Sequence, residues 1–210
     1  MTLKPSARSI EALIGYETGG RTYYEARLCR PSWPGGLSGV TVGVGYDLGY
    51  HTPAEVMAAW AAVLGDGPAA YLASVAGRKG TQAQQAWRAG LVLRDIFIPW
   101  EAALQVFRTV TLPVWLERTA KAFPGAGRLH PDVQGVLVSL AYNRGTGMTG
   151  DSRREMREMR GAVAKGDTAE IARQIRQMKR LWVGQGLDGL IRRREAEAGM
   201  VETAGAGEGT

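Results

Sequence analysis

The sequence predicts a mostly helical fold that carries one small sheet near its N-terminus. Three observations support this. Val40, Val42 and Val44 alternate with Thr41, Gly43 and Gly45, the two-residue period of a strand with one apolar face. Ile10, Leu13 and Ile14 recur at helical spacing shortly before it. From Thr52 onward the apolar residues keep a helical period, and no stretch reads as a convincing strand.

Taken in order, residues 7–17 form the first helix. Glu17 continues the apolar stripe seven residues after Ile10, and Thr18-Gly19-Gly20 stops the helix. A carboxylate there is either a frayed last turn in water or a half-buried acid whose pKa desolvation raises. Residues 21–36 hold Tyr23, Tyr24, Trp33, two prolines and Gly35-Gly36, and read as irregular chain leading into the sheet. Thr52-Pro53-Ala54-Glu55 is a capping box with proline at the first helical position. Further helices are expected at 69–76, at 82–95 with Thr81 as cap, at 99–108 and at 112–122. His130-Pro131 opens another, with Val133, Val136, Leu137, Leu140 and Ala141 on its buried face and Gly145 as its C-terminal glycine. Helices at 152–165, 168–182 (Asp167 and Glu170 as a capping box) and 188–201 complete the chain. Residues 204–210 are expected to be a disordered tail.

A chain of 210 residues with 45% hydrophobic residues suits one domain with a substantial core. No run approaches the roughly 20 apolar residues of a membrane span. The N-terminus lacks the apolar core of a signal peptide. Cys29 is the only cysteine, which excludes an internal disulfide, and with two histidines a structural zinc site is not expected. Cys29 itself reads as an ordinary small packing residue. A net charge of +6 favours anionic partners: nucleic acid, anionic lipid or anionic wall polymer. Much of that charge lies in Arg153–Arg180 and Arg192–Arg194, read mostly as solvated helix faces.

The stretch Gly35–Thr52 is the chemical centre of the chain. Thr41 and Asp47 flank Gly43 and Gly45 in one parity, and a strip without side chains lets a bulky ligand approach the backbone. Together with Glu17 this places two carboxylates and a hydroxyl where acid-base hydrolysis is possible. Six residues of straight strand would hold Thr41 and Asp47 about 20 Å apart at ~3.3 Å per residue. Both reach one water only if the chain turns back near Gly43–Tyr46. The plainer alternatives are that Asp47 caps the turn at Leu48-Gly49 and that Thr41 is an ordinary strand threonine.

These residues, in this order, resemble the phage-type lysozymes, the family-24 glycoside hydrolases, and within them the pesticin-like branch. Glu17 is followed by Thr41-Val42-Gly43-Val44-Gly45-Tyr46-Asp47, with the aspartate after the threonine. Ala141-Tyr142-Asn143-Arg144-Gly145 is similar to the family's "YN-G" helix end. Gly186-Leu187-Asp188 through Arg192-Arg193-Arg194-Glu195 is similar to its "GL-RRR-E" closing helix. The residue after the acid, usually Gly, is Thr18, and the usual His after the glycines is Tyr46.

The resemblance implies a lysozyme-like α+β fold over residues 1–203. A small lobe (1–52: a helix and a short antiparallel sheet) and a larger helical lobe (53–203) would enclose the active cleft. It implies a monomeric N-acetylmuramidase that needs no cofactor or metal and cuts the β-1,4 bond from N-acetylmuramic acid to N-acetylglucosamine in peptidoglycan. Glu17 would be the general acid, with Asp47 and Thr41 holding the attacking water. That mechanism inverts and needs about 6.5–9.5 Å between the carboxyl groups. Gly43, Gly45, Tyr46, Tyr142, Asn143 and Arg144 would contact substrate. Glu25 is a rival second carboxylate.

A phage endolysin, made in the host cytoplasm and acting on the wall, is the leading expectation. A bacteriocin-like or secreted antibacterial effector is an alternative, as is a lytic transglycosylase, which needs one Glu and no water. A nucleic-acid-type polyanion binder ranks last, since it leaves Glu17, Thr41 and Asp47 unexplained.

Overall fold

The structure is a computed structural model, described over residues 2–206. It is 71% helical with a two-stranded antiparallel sheet, the α+β composition expected. Helix α1 (Ala7–Thr18) is followed by α2 (Arg21–Arg27) and the hairpin β1 (Thr41–Val42) and β2 (Tyr46–Asp47). Then come α3 (Pro53–Leu64), α4 (Asp66–Ala73), α5 (Gly80–Ala89), α6 (Leu91–Asp95) and α7 (Trp100–Val106). The chain ends with α8 (Leu112–Ala122), α9 (Pro131–Arg144), α10 (Arg154–Lys165), α11 (Thr168–Gln177) and α12 (Asp188–Ala206). Two compact units result among the described residues: residues 2–13 with 114–206, and residues 14–113.

In the unit of residues 14–113, Gly43 (φ 58°) and Gly45 (φ 70°) reverse the chain into a tight hairpin, the turn near Gly43–Tyr46 that a water shared by Thr41 and Asp47 requires. Val40, Val42 and Val44 are all buried, as their alternation requires. Residues 21–27, expected to be irregular, form α2. Its helical pitch is supported by an Arg21–Glu25 ion pair at 2.8 Å and by Tyr24, whose buried ring sends its hydroxyl to the Ile98 carbonyl at 3.0 Å. The Thr52 capping box forms as read, Thr52 accepting from Glu55 N and Glu55 from Thr52 N. The expected helix 82–95 starts earlier, with Lys79 rather than Thr81 at its cap, and breaks at Gly90 into α5 and α6. A π-helical turn, Phe107–Thr111, separates α7 from α8, where one helix through 108 was expected.

In the other unit, α9 is the central helix, buried on every residue from Asp132 to Ala141. That burial takes in polar residues as well, each hydrogen-bonded: Gln134 donates to the Leu129 carbonyl at 2.7 Å and Ser139 to Glu197 at 2.6 Å. His130 caps it, accepting from Asp132 N, and Gly145 (φ 72°) closes it. A side chain at Gly135 would collide with Ser9, so the missing Cβ lets the start of α1 lie against α9. Asp167 caps α11 by accepting from Glu170 N at 2.9 Å. The expected helix 168–182 gives way to a 3-10 turn at Met178–Leu181. Helix α12 continues to Ala206, so residues 204–206 are helical where a disordered tail was expected; 207–210 lie outside the described residues.

One charge reading is corrected here. Arg193 and Arg194 were read as solvated, yet they are 6% and 0% exposed. Both pair with Glu197, at 3.1 and 2.9 Å, and Ser139 of α9 joins the cluster, donating to Glu197 at 2.6 Å and accepting from Arg193 at 2.9 Å. The stripe Arg194, Glu197, Ala198, Val201 faces inward at helical spacing, which drags the charges in with the apolar residues.

Candidate active site

Glu17 stands in the last turn of α1, half-buried, three residues after the buried Ile14. The helix end just past it is closed by Thr18, whose hydroxyl donates to the Ile14 carbonyl at 2.7 Å and accepts from Gly20 N at 3.2 Å. The threonine in place of glycine therefore serves as a local cap.

Thr41 and Asp47 are direct partners in the hairpin register. Residues directly opposite in an antiparallel pair have Cβ atoms only about 4.5–5.5 Å apart, so the 20 Å separation of a straight strand does not arise. On its other side Thr41 exchanges two backbone hydrogen bonds with Ser32, at 2.7 and 3.0 Å, which fixes the strand from both edges. Both side chains are half-buried.

The Asp47 carboxylate is held by the backbone. Oδ1 accepts from Gly49 N at 2.8 Å and from Gly39 N at 3.0 Å, and Oδ2 shares the Gly39 N–H at 3.2 Å. Asp47 thus caps the 3-10 turn Leu48–Tyr50, as the plainer alternative anticipated. The same bonds aim its carboxylate and leave most of the lone-pair capacity of Oδ2 for another donor.

Tyr46 is 3% exposed. Its ring stacks on His51 (centroids 4.1 Å, interplanar 11°) and meets Trp60 edge-on at 5.6 Å. Burial, with a smaller contribution from the Glu55 charge, pushes its phenol up to about 12. A Cβ at Gly43 would lie 2.9 Å from Trp60 Cη2, so the space beside Gly43 is filled by that indole. Gly45, at the hairpin tip, is exposed. Glu25 is exposed and engaged with Arg21, which also pairs with Glu101 at 2.9 Å.

In the unit of residues 2–13 and 114–206, the ring of Tyr142 lies 5.2 Å from that of Trp115, and Asn143 is exposed. Arg144 lies over the Trp182 ring at 5.1 Å and donates to the Ser152 carbonyl at 2.5 Å. Burial lowers its pKa, and the nearby Arg153 charge adds to that. Among the described residues no three His, Cys, Asp or Glu side chains are grouped to hold a metal ion.

Residues 116–197 match the phage lysozyme family model. No curated protein and no solved structure matches the chain. The phage lysozyme match supports a lysozyme-type peptidoglycan hydrolase at the family level. It begins in α8 and ends in α12, so it covers Tyr142, Asn143, Arg144 and the buried Arg193–Arg194–Glu197 cluster. Glu17, Thr41 and Asp47 lie outside it. Sequence reasoning missed Glu155, 1% exposed and bound by Arg180 at 2.6 Å; its position among Met156 and Met159 at helical spacing was the available signal.

Proposed function

We propose that this chain is an inverting N-acetylmuramidase of the pesticin-like kind, cutting the β-1,4 bond from N-acetylmuramic acid to N-acetylglucosamine. Glu17 gives its proton to the leaving glycosidic oxygen. A water held between Thr41 and Asp47 attacks the anomeric carbon from the opposite face, and Asp47 takes its proton. The observation that supports this most is the direct pairing of Thr41 with Asp47, since the mechanism requires hydroxyl and carboxylate on one water. The phage lysozyme match over residues 116–197 supports the same substrate class. The proposed setting is a phage endolysin that reaches the wall from the cytoplasm of the infected cell, monomeric and without cofactor.

The test is mass spectrometry of fragments released from purified peptidoglycan. Reducing muramic acid ends are expected, and a folded Glu17→Gln variant should release none. Anhydro-muramic ends would replace hydrolysis with transglycosylation. Salt-dependent DNA binding without any fragment release would replace enzymatic function with polyanion binding.

A further inference from the structure

The end of α9 and the start of α10 carry an arginine cluster, in which the resemblance gives Arg144 a substrate contact without naming the group it binds. Arg144 and Arg153 line a cavity of about 450 Å³, shared with Asn143, Ser152, Trp182 and Leu190. Arg144 Nε and Arg153 Nη1 are buried and have no hydrogen-bond partner among the described residues. Arg180 is bound by Glu155 and Asp151, and Arg157 donates to the Met148 and Gly150 carbonyls at 2.8 Å. Among the residues that line the cavity, Arg144 and Arg153 are the two that carry such unpartnered donors. Helix α10 begins beside them without a side-chain cap, adding its positive end to the field. Trp182 forms an apolar wall, fixed between Arg144 and Arg194 at 5.1 and 5.9 Å.

We infer that Arg144 and Arg153 form a carboxylate-binding site, each contributing one N–H to one oxygen, with Trp182 packing against the chain that bears the carboxylate. Two donors and two positive charges suit a planar carboxylate better than a phosphate, which presents three oxygens. Resting on the muramidase reading, the occupant is the free carboxylate of a peptidoglycan stem peptide. Asn143, exposed at the rim, supplies an amide for the neighbouring peptide bond.

The test is calorimetric titration of the full chain with three probes: a soluble muramyl peptide with free carboxylates, the same peptide fully amidated, and inorganic phosphate. The acid should bind about tenfold or more tightly than the amide, the scale of one charge-assisted pair. Arg153→Gln should weaken acid binding by a similar factor without changing the melting temperature by more than a few degrees. Arg144→Lys, which keeps the charge and removes the Nε donor, should do the same. Equal binding of acid and amide, unchanged binding by Arg153→Gln, or phosphate binding as tightly as the acid would each overturn the site. Acid-selective binding without fragment release would sink the hydrolase and leave the site standing. Fragment release without acid-selective binding would do the reverse.

Discussion

Gly39 and Asp47 are held so closely that no side chain fits between them. Gly39 N donates to both oxygens of the Asp47 carboxylate, at 3.0 and 3.2 Å. A Cβ on Gly39 would lie 2.6 Å from Gly49 Cα and closer still to Asp47 Oδ1. Gly39→Ala must therefore push the carboxylate off its two backbone donors. The expected stability loss is about 1–3 kcal/mol, the usual range for overpacking. Activity should fall by more than that loss explains, because Asp47 is re-aimed. Thermal melts and wall-lysis rates on the same preparation check this; a stable, fully active Gly39→Ala protein would mean that the aim of Asp47 is irrelevant.

The buried charges of α12 set a second expectation. Burial pushes the Glu197 carboxyl up, while Arg194, Arg193 and the Ser139 hydroxyl pull it back toward the ionised form. Glu197→Ala would leave two guanidiniums buried against Ser139 without a counter-charge. The expected cost is about 3–5 kcal/mol, the range for breaking a buried pair from one side. Replacing Arg193, Arg194 and Glu197 together by Met or Leu should cost less than the single change. Chemical denaturation of the two variants decides it, and a single variant milder than the triple one would refute the pairing argument.

Acid should weaken the N-terminal attachment to α9. Burial alone would raise the Asp132 carboxyl, but hydrogen bonds from Ser6 and Arg8 and the Arg8 charge more than offset it, so its pKa is lowered. His130 also faces it, at 3.6 Å. A depressed folded pKa contributes stability above the ordinary carboxylate value of about 4, and that contribution is lost as pH falls through the folded value. Melting temperature should therefore drop on acidification below pH ~4. Asp132→Asn should cost roughly 1–2 kcal/mol at neutral pH and flatten that drop. An equally steep acid limb in Asp132→Asn would assign the effect to other carboxylates.

How far the sequence was legible depends on which forces act locally. The capping box at Thr52 and the glycine at 145 are short-range devices, and they form as read; at Asp167 only the aspartate half of the expected box forms, since the Glu170 carboxylate accepts from Arg173 and Gln174. The hairpin was legible only in part: Val40, Val42 and Val44 marked the strand, but alternation alone says nothing of where the chain reverses. The positive φ of Gly43 and Gly45 supplies the reversal, and glycine adopts either sign of φ. Helix α2 was hidden because its flanking glycines and paired tyrosines resemble loop chemistry, while its one local signal, Arg21 to Glu25, is weak. Arg193 and Arg194 were misjudged because a charge normally stays in water. Their inward direction is set by Ala198 and Val201 on the same stripe, a tertiary preference that overrides the residue type.

The second carboxylate is the sharpest test of the site. Asp47→Asn keeps Oδ1 as an acceptor, so the bonds from Gly39 N and Gly49 N can survive and the turn should hold. What it loses is the negative charge that, in the proposed mechanism, receives the water's proton. Stability should change by no more than about 1 kcal/mol, while the hydrolytic rate falls by roughly 10²–10⁴, the usual contribution of a general base. Glu25→Gln removes only an exposed helical ion pair with Arg21, of the kind that contributes little to stability, and lysis should stay near the native rate. The stereochemistry adds an independent reading. Water delivered by Asp47 and Thr41, on the face opposite the Glu17 proton, gives an α-anomer as first product. Both variants are to be assayed on peptidoglycan, with the anomer of fresh product read by NMR. An active Asp47→Asn with an inactive Glu25→Gln would transfer the role to Glu25 and leave Asp47 as the cap of Leu48–Tyr50 alone. A β-anomer appearing first would mean retention, and the water assigned to Thr41 and Asp47 would have no place in the first step.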